Sequence, residues 1–175
     1  CDACLVGPGL GRLPGVRAVT EAVLREARCP VVLDADGLNV LEGAADALKA
    51  RRAPTVLTPH DGEFRRLGGA VGPDRMASAA ALAQTLGAVV LLKGHRTVVT
   101  DGTRGYENRT GNPGMATGGS GDVLAGMLVS LLGQGLAPLE AAAAAAWLHG
   151  AAGDRCAAER GEYGMTPSDL IDAAS

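Results

Sequence analysis

The chain has 175 residues, with 16 basic and 19 acidic side chains for a formal net charge of −3, which suits one soluble domain and not a basic nucleic-acid surface. Hydrophobic residues make up 47% and charged residues 20%, enough apolar side chain for a core and too little charge for a disordered chain. The aromatics are one Trp, two Tyr and one Phe, so Ala, Val and Leu must fill that core and little is left on which bases could stack.

No apolar run reaches the ~18 residues of a membrane span, and the opening CDACLVGPG lacks the charged region and cleavage pattern of an export signal. The sequence therefore reads as cytoplasmic, without membrane or nucleic-acid partners. Cys1, Cys4, Cys29 and Cys156 read as small apolar side chains, because Cys1-x-x-Cys4 has no second ligand pair. Starting without Met and running at once into a strand-like segment, the chain is expected to be a fragment.

Taken in order, β-branched runs alternate with Ala/Leu-rich amphipathic stretches, the pattern of a mostly parallel sheet between helices. A strand over Ala3 to Val6 ends in Gly7-Pro8-Gly9-Leu10-Gly11, and a helix covers Val16 to Arg28. A strand over Pro30 to Leu33 ends in Asp34-Ala35-Asp36-Gly37, followed by a helix over Leu38 to Ala50. Thr55 to Leu57 is a strand ending in Thr58-Pro59-His60-Asp61-Gly62-Glu63, with helices over Glu63 to Leu67 and Arg75 to Leu86. Val89 to Leu92 is the next strand, ending in Lys93-Gly94-His95-Arg96-Thr97. Thr97 to Thr100 and Arg104 to Glu107, joined through Asp101-Gly102, predict a hairpin with a type I′ turn, which adds an antiparallel edge.

A glycine-rich loop from Asn108 to Gly121 then enters a helix with a stripe at Val123, Leu124, Met127, Leu128, Leu131 and Leu132. Pro138 starts a further helix whose Ala141 to Ala146 run implies close packing, and a short helix follows Thr166-Pro167-Ser168-Asp169.

Ligands of open parallel sheets bind beyond the carboxyl ends of the strands. Asp34, Asp36, Asn39, His60, Glu63, Lys93 and Thr97 all follow strands directly. Gly7 to Gly11 is a weak dinucleotide signal, since the third glycine of G-x-G-x-x-G falls on Arg12, but it leaves backbone open to a ligand. The strongest signal is Asn112-Pro113-Gly114-Met115-Ala116-Thr117-Gly118-Gly119-Ser120-Gly121-Asp122. Glycines around Ser120 expose N–H groups at a helix N-terminus, where the helix dipole favours an anion. Asp122, in the first turn beside that anion, suits deprotonation of a hydroxyl that attacks a phosphate; as a plain helix cap it would need no glycine approach.

The segments G-P-G-L-G (7–11), D-A-D-G-L-N (34–39), L-T-P-H-D-G-E-F (57–64), L-K-G-H-R-T (92–97) and N-P-G-M-A-T-G-G-S-G-D-V-L-A-G (112–126), in this order, resemble the ADP/ATP-dependent NAD(P)H-hydrate dehydratases of the ribokinase-like superfamily. The resemblance implies a three-layer α/β/α fold and a coenzyme-repair reaction. A hydrated NADH or NADPH of S configuration is dehydrated at the expense of ADP in bacterial members or ATP in eukaryotic ones, with Mg²⁺. Phosphorylation turns the hydrate hydroxyl into a leaving group, and the ring nitrogen's electron pair helps expel phosphate. Carried over by position, Asp122 is the base and contacts the hydrate. Gly118, Gly119, Ser120 and Gly121 hold the transferring phosphoryl group, and Lys93, Gly94, His95, Arg96 and Thr97 line the AMP part. Gly9 and His60 contact the hydrate, and Asn39 and Glu63 are the candidates for Mg²⁺ or water organisation.

The resemblance also implies a homo-oligomer such as a tetramer. Residues 1–175 would form one N-terminally incomplete dehydratase domain, because family domains begin before the G-P-G-L-G loop. One departure lies in the loop that usually reads T-P-H-P-G-E, where Asp61 replaces proline and adds a charge beside His60. Two other functions fit the same motifs. A vitamin-precursor kinase of the superfamily would share the anion hole and Asp122, and a non-catalytic remnant would bind nucleotide alone.

Overall fold

The computed structural model describes residues 1–11, 13–43 and 46–174. Its elements are β1 (Cys4–Val6), α1 (Pro14–Glu26), β2 (Val31–Leu33), α2 (Asp36–Asn39), α3 (Asp46–Lys49), β3 (Thr55–Leu57), α4 (Asp61–Arg66) and α5 (Arg75–Leu86). There follow β4 (Val89–Leu92), β5 (Val98–Thr100), β6 (Gly105–Glu107), a 3₁₀ turn (Pro113–Met115), α6 (Ser120–Gly133), α7 (Pro138–Arg160) and α8 (Pro167–Ala173). One sheet runs in the order β1-β2-β3-β4-β5-β6. The first four strands pair in parallel, and β5 and β6 add antiparallel pairs.

Strand order explains the layers. When successive parallel strands advance in one direction, their right-handed crossovers all fall on one face. Accordingly Leu24 of α1, Leu38 of α2, Leu48 of α3, Phe64 of α4 and Leu82 of α5 pack with Leu33, Leu57 and Leu92 on one side of the sheet. The alternate strand residues Val32, Val56, Leu91 and Val99 point the other way, against Leu124 and Leu128 of α6 and the alanines of α7. Ala141, Ala142 and Ala145 have no exposed surface; their short side chains let the 23-residue α7 lie close on sheet and neighbouring helix. A charged side chain binds the crossovers together: Arg51 donates from Nη1 to the carbonyls of Leu24 and Ala27 at the end of α1, and from Nε to Thr55 Oγ1 on β3, each at 3.0 Å. Among the described residues no helix is long and apolar enough to cross a membrane.

The expected three-layer α/β/α architecture with an antiparallel edge is thus present. Two local expectations are corrected. The single helix over Leu38 to Ala50 is two short ones: α2 stops at Asn39, and Gly43, whose φ of 72° no right-handed helix accommodates, lies in the turn that follows; residues 44 and 45 lie outside the described residues. The hairpin turn is not type I′, which needs positive φ at both central residues. In 101–104 only Gly102 has one, 93°; Asp101 Oδ1 instead gathers the N–H groups of Thr103 and Arg104 at 2.9 and 2.7 Å.

Candidate active site

Because β5 and β6 are antiparallel to their neighbours in turn, β6 runs in the direction of β1 to β4 and delivers residue 108 to the same sheet edge. The Asn108 N–H donates to the Thr97 carbonyl at 2.8 Å, fastening the start of the glycine-rich loop beside the β4 loop. Between these loops lies a cavity of about 830 Å³, within the range of small-molecule sites. Lys93, Gly94, His95, Arg96 and Thr97 all line it, as do His60, Ser120 and Gly121.

The N-terminus of α6 forms one wall. Gly119 is the N-cap, with φ 91° and no side chain to cap the helix. No carbonyl among the described residues accepts from the Gly121 N–H, so this donor is left for a ligand at the positive end of the helix dipole. A Cβ placed on Gly121 would lie 3.6 Å from Lys93 Nζ, so the ammonium approaches the same spot. Two positive features converging there favour an anion between them. Lys93 is held from below: Nζ donates to Asp34 Oδ1 at 2.7 Å and lies 3.9 Å from Glu63 Oε2. Thr58 Oγ1 donates to the same Asp34 oxygen at 2.8 Å.

The opposite wall was not foreseen in the sequence. His149 of α7 is buried and lines the cavity, with Nε2 3.2 Å from Ser120 Oγ. Burial lowers its pKa below the usual histidine value, against an opposing contribution from hydrogen bonding to the Ser120 backbone. The loop from Asn108 is tied to α7: Asn108 Nδ2 donates to the Ala146 carbonyl at 3.1 Å, Thr110 Oγ1 to the Trp147 carbonyl at 3.0 Å, and Asp154 Oδ2 accepts from the Gly111 N–H at 2.9 Å. Gly150 permits that approach, since a Cβ there would come within 2.2 Å of Thr110 Oγ1.

Six expected residues stand apart from the cavity lining. Gly118 is exposed and Gly119 backs onto Pro167; a Cβ at Gly119 would meet Pro167 Cγ at 3.0 Å. Asp122 is exposed in the first turn of α6, and its carboxylate has no side-chain partner among the described residues. Gly9 is exposed with φ 71° and open space around it.

Asn39 and Glu63 are each engaged by protein donors. Asn39 Oδ1 accepts from Arg66 Nη1 at 2.7 Å. Glu63 closes the capping box of α4, with Oε2 accepting the His60 N–H at 2.9 Å while His60 Nδ1 accepts the Gly62 N–H at the same distance. Both groups already answer to protein donors, and no cluster of three or more His, Cys, Asp or Glu among the described residues could hold a metal ion.

A mostly parallel sheet with an antiparallel edge, helices on both faces, and an open helix N-terminus beside the β4 loop define a ribokinase-like protein. The solved ribokinase-like superfamily protein from Enterococcus faecalis V583 superposes with a TM-score of 0.84 at 29% identity, over 99% of this chain and 61% of that one. Within that class, the family model described as NAD(P)H-hydrate dehydratase matches residues 1–175, and the chain belongs to that family. It is 48% identical over 177 residues to the bifunctional NAD(P)H-hydrate repair enzyme of Moorella thermoacetica, covering 98% of this chain and 33% of the relative. The ADP/ATP-dependent NAD(P)H-hydrate dehydratase from Bacillus subtilis, co-crystallised with ATP/Mg²⁺, has a TM-score of 0.88 at 34% identity, over 99% of this chain and 62% of that one. The chain therefore spans about a third of the bifunctional relative's length and under two thirds of the solved dehydratase.

Proposed function

We propose that the chain dehydrates the S form of hydrated NADH or NADPH at the expense of ADP or ATP, by phosphorylating the hydrate hydroxyl and eliminating phosphate. The observation that carries this reading is the cavity joining Lys93 to Thr97 with the open N-terminus of α6. That arrangement suits an adenine nucleotide whose terminal phosphate reaches Gly121 and Lys93.

In this reading the Gly118 to Gly121 turn borders the transferring phosphoryl group with the Gly121 N–H as its open backbone donor, and Lys93, oriented by Asp34, neutralises its charge. Asp122 accepts the proton of the hydrate hydroxyl as its oxygen attacks phosphorus. Its exposure and lack of a partner leave it able to do so. The C–O bond then breaks with departure of phosphate, the electron pair of the ring nitrogen assisting, and loss of a proton from the adjacent carbon restores the double bond. His149 orients the Ser120 hydroxyl, while Gly9 and His60 approach the hydrate from the β1 and β3 loops. Mg²⁺ belongs with the phosphate oxygens of the nucleotide, as hard oxygen ligands require, and not with Asn39 and Glu63. The protein is read as a cytoplasmic homo-oligomer, which light scattering on the purified protein tests.

The decisive assay mixes the protein, within its natural full-length chain, with hydrated NADH, Mg²⁺ and either ADP or ATP. A nucleotide-dependent return of the near-ultraviolet absorbance of the reduced nicotinamide is the expected result and identifies the donor. Phosphorylation without recovery of that absorbance would make the protein a kinase, and binding of nucleotide without any turnover would make it a non-catalytic nucleotide-binding protein.

A further inference from the structure

We propose that Asp61 and Arg75 form a clasp that positions the Lys93–Thr97 loop for its nucleotide, a role that rests on the nucleotide reading above. Beyond the end of β4 backbone bonds hold only the two ends of this loop, Lys93 N–H to the Pro59 carbonyl and Asn108 N–H to the Thr97 carbonyl, so the stretch between them is set by side chains. Arg75 is the first residue of α5, behind the N-cap Asp74, and its side chain is 24% exposed. Nη1 donates to Asp61 Oδ1 at 2.9 Å and Nη2 to the Lys93 carbonyl at 2.8 Å. The same guanidinium floors Gly94, where φ is +155° and a Cβ would stand 2.8 Å from Nη2. Lys93 is further fixed by its own N–H, which donates to the Pro59 carbonyl at 2.8 Å. Thr97 Oγ1 closes the loop onto the Gly94 carbonyl at 3.0 Å. Three hydrogen bonds, at the Lys93 N–H, the Lys93 carbonyl and the Gly94 carbonyl, thus bracket the peptide between Lys93 and Gly94.

The unpaired atom is informative. Arg75 Nε is buried without any hydrogen-bond partner, an arrangement with a real energetic cost. Nη1 and Nη2 are aligned on targets from two different loops while Nε goes unanswered, so the geometry serves the loops and not the satisfaction of arginine. Only a forked cation can bridge both; a lysine ammonium at this point could not reproduce the diverging pair. Asp61 supplies the other half. At the first position of α4 its carboxylate suits the helix dipole and neutralises a mostly buried guanidinium, which a proline here could not do.

The test uses the full-length protein and three variants: Asp61→Asn, Asp61→Glu and Arg75→Lys. Amide hydrogen exchange of the free protein reads the loop without any ligand, and calorimetry with ADP together with separate KM values for ADP and for the hydrate reads its use. Asp61→Asn and Arg75→Lys are expected to speed exchange over 94–97 and weaken ADP about tenfold, the scale of coupling through an intervening contact. KM for ADP should rise while KM for the hydrate holds, and Asp61→Glu should restore both readouts. Unchanged exchange in Asp61→Asn overturns the clasp. Faster exchange with normal ADP affinity overturns its positioning role, and equal rises in both KM values reduce it to general structural support. Should the wild type bind neither ADP nor ATP, the nucleotide reading and the positioning role fall together, while the exchange result still decides whether the clasp holds the loop.

Discussion

Two glycine-rich loops sit at the same edge of the sheet and do opposite things with their missing side chains. In the loop after β1, a Cβ on Gly7 would fall 1.6 Å from the Asp34 carbonyl oxygen, and one on Gly37 of the next loop would fall 2.4 Å from the Val6 carbonyl. The two backbones interlock, and Asp36 Oδ2 accepts the Gly11 N–H at 2.8 Å to seal them. In the loop entering α6, Gly118 has nothing within 4 Å and Gly121 meets only Lys93 Nζ at 3.6 Å. At these two positions the absent side chains leave room instead of filling it. Glycine marks close approach: at Gly7 and Gly37 to protein backbone, and at Gly121 to the space where the proposed reading seats a phosphate.

The sharpest way to break this contrast is at the carboxylates. Asp122→Asn is expected to lower turnover by ~10² to 10⁴ while calorimetry finds ADP affinity unchanged; unaltered turnover would remove Asp122 from the chemistry. Next in size, Gly7→Ala combines a strained φ of +142° with a collision against backbone, and should cost about 3 kcal/mol or more in denaturant unfolding. Gly118→Ala, at an open and unstrained position, should stay within ~0.5 kcal/mol; similar losses for both would erase the distinction between the loops. Gly121→Val fills the phosphate space against Lys93 and should weaken ADP by at least about tenfold with little change in melting temperature. Normal ADP affinity in that variant would contradict the anion site.

The smallest effect concerns pH. Burial holds His149 below its ordinary pKa, so the folded state binds fewer protons than the unfolded one and stability rises with pH across that window. The contribution of His149 is complete above the ordinary histidine value of ~6.5 and is lost as pH falls from there through the lowered folded value. Melting curves between about pH 7.5 and 5.5 should therefore show an acid loss in wild type that is reduced in His149→Gln, and an identical loss in both would clear His149.

Much of this was legible beforehand because the signals are local. The strands Thr55–Leu57 and Val89–Leu92 and the helix Arg75–Leu86 occupy the residues their patterns mark. The β4 loop, Ser120 and Gly121 meet in one cavity, as strand-end placement implies. What escaped depends on distant partners. His149 sits in an alanine-rich helix where a single histidine looks like packing, and only the fold brings it to Ser120 across 29 residues. Asn39 and Glu63 follow strands as ligands would, yet Arg66 and the His60 backbone had already engaged them. Periodicity could not register the turn that follows Asn39, where Gly43 takes a positive φ.

The poverty in aromatics has a practical consequence. Trp147 is the only tryptophan, and it is half-exposed on α7. Its neighbours Ala146 and Gly150 line the cavity, and its own carbonyl receives Thr110 of the cavity wall. Its fluorescence thus comes from one ring at one place, beside the wall a nucleotide would touch. Emission from the unmodified protein should follow occupancy of the cavity directly, giving a label-free optical readout that a chain richer in tryptophan would blur.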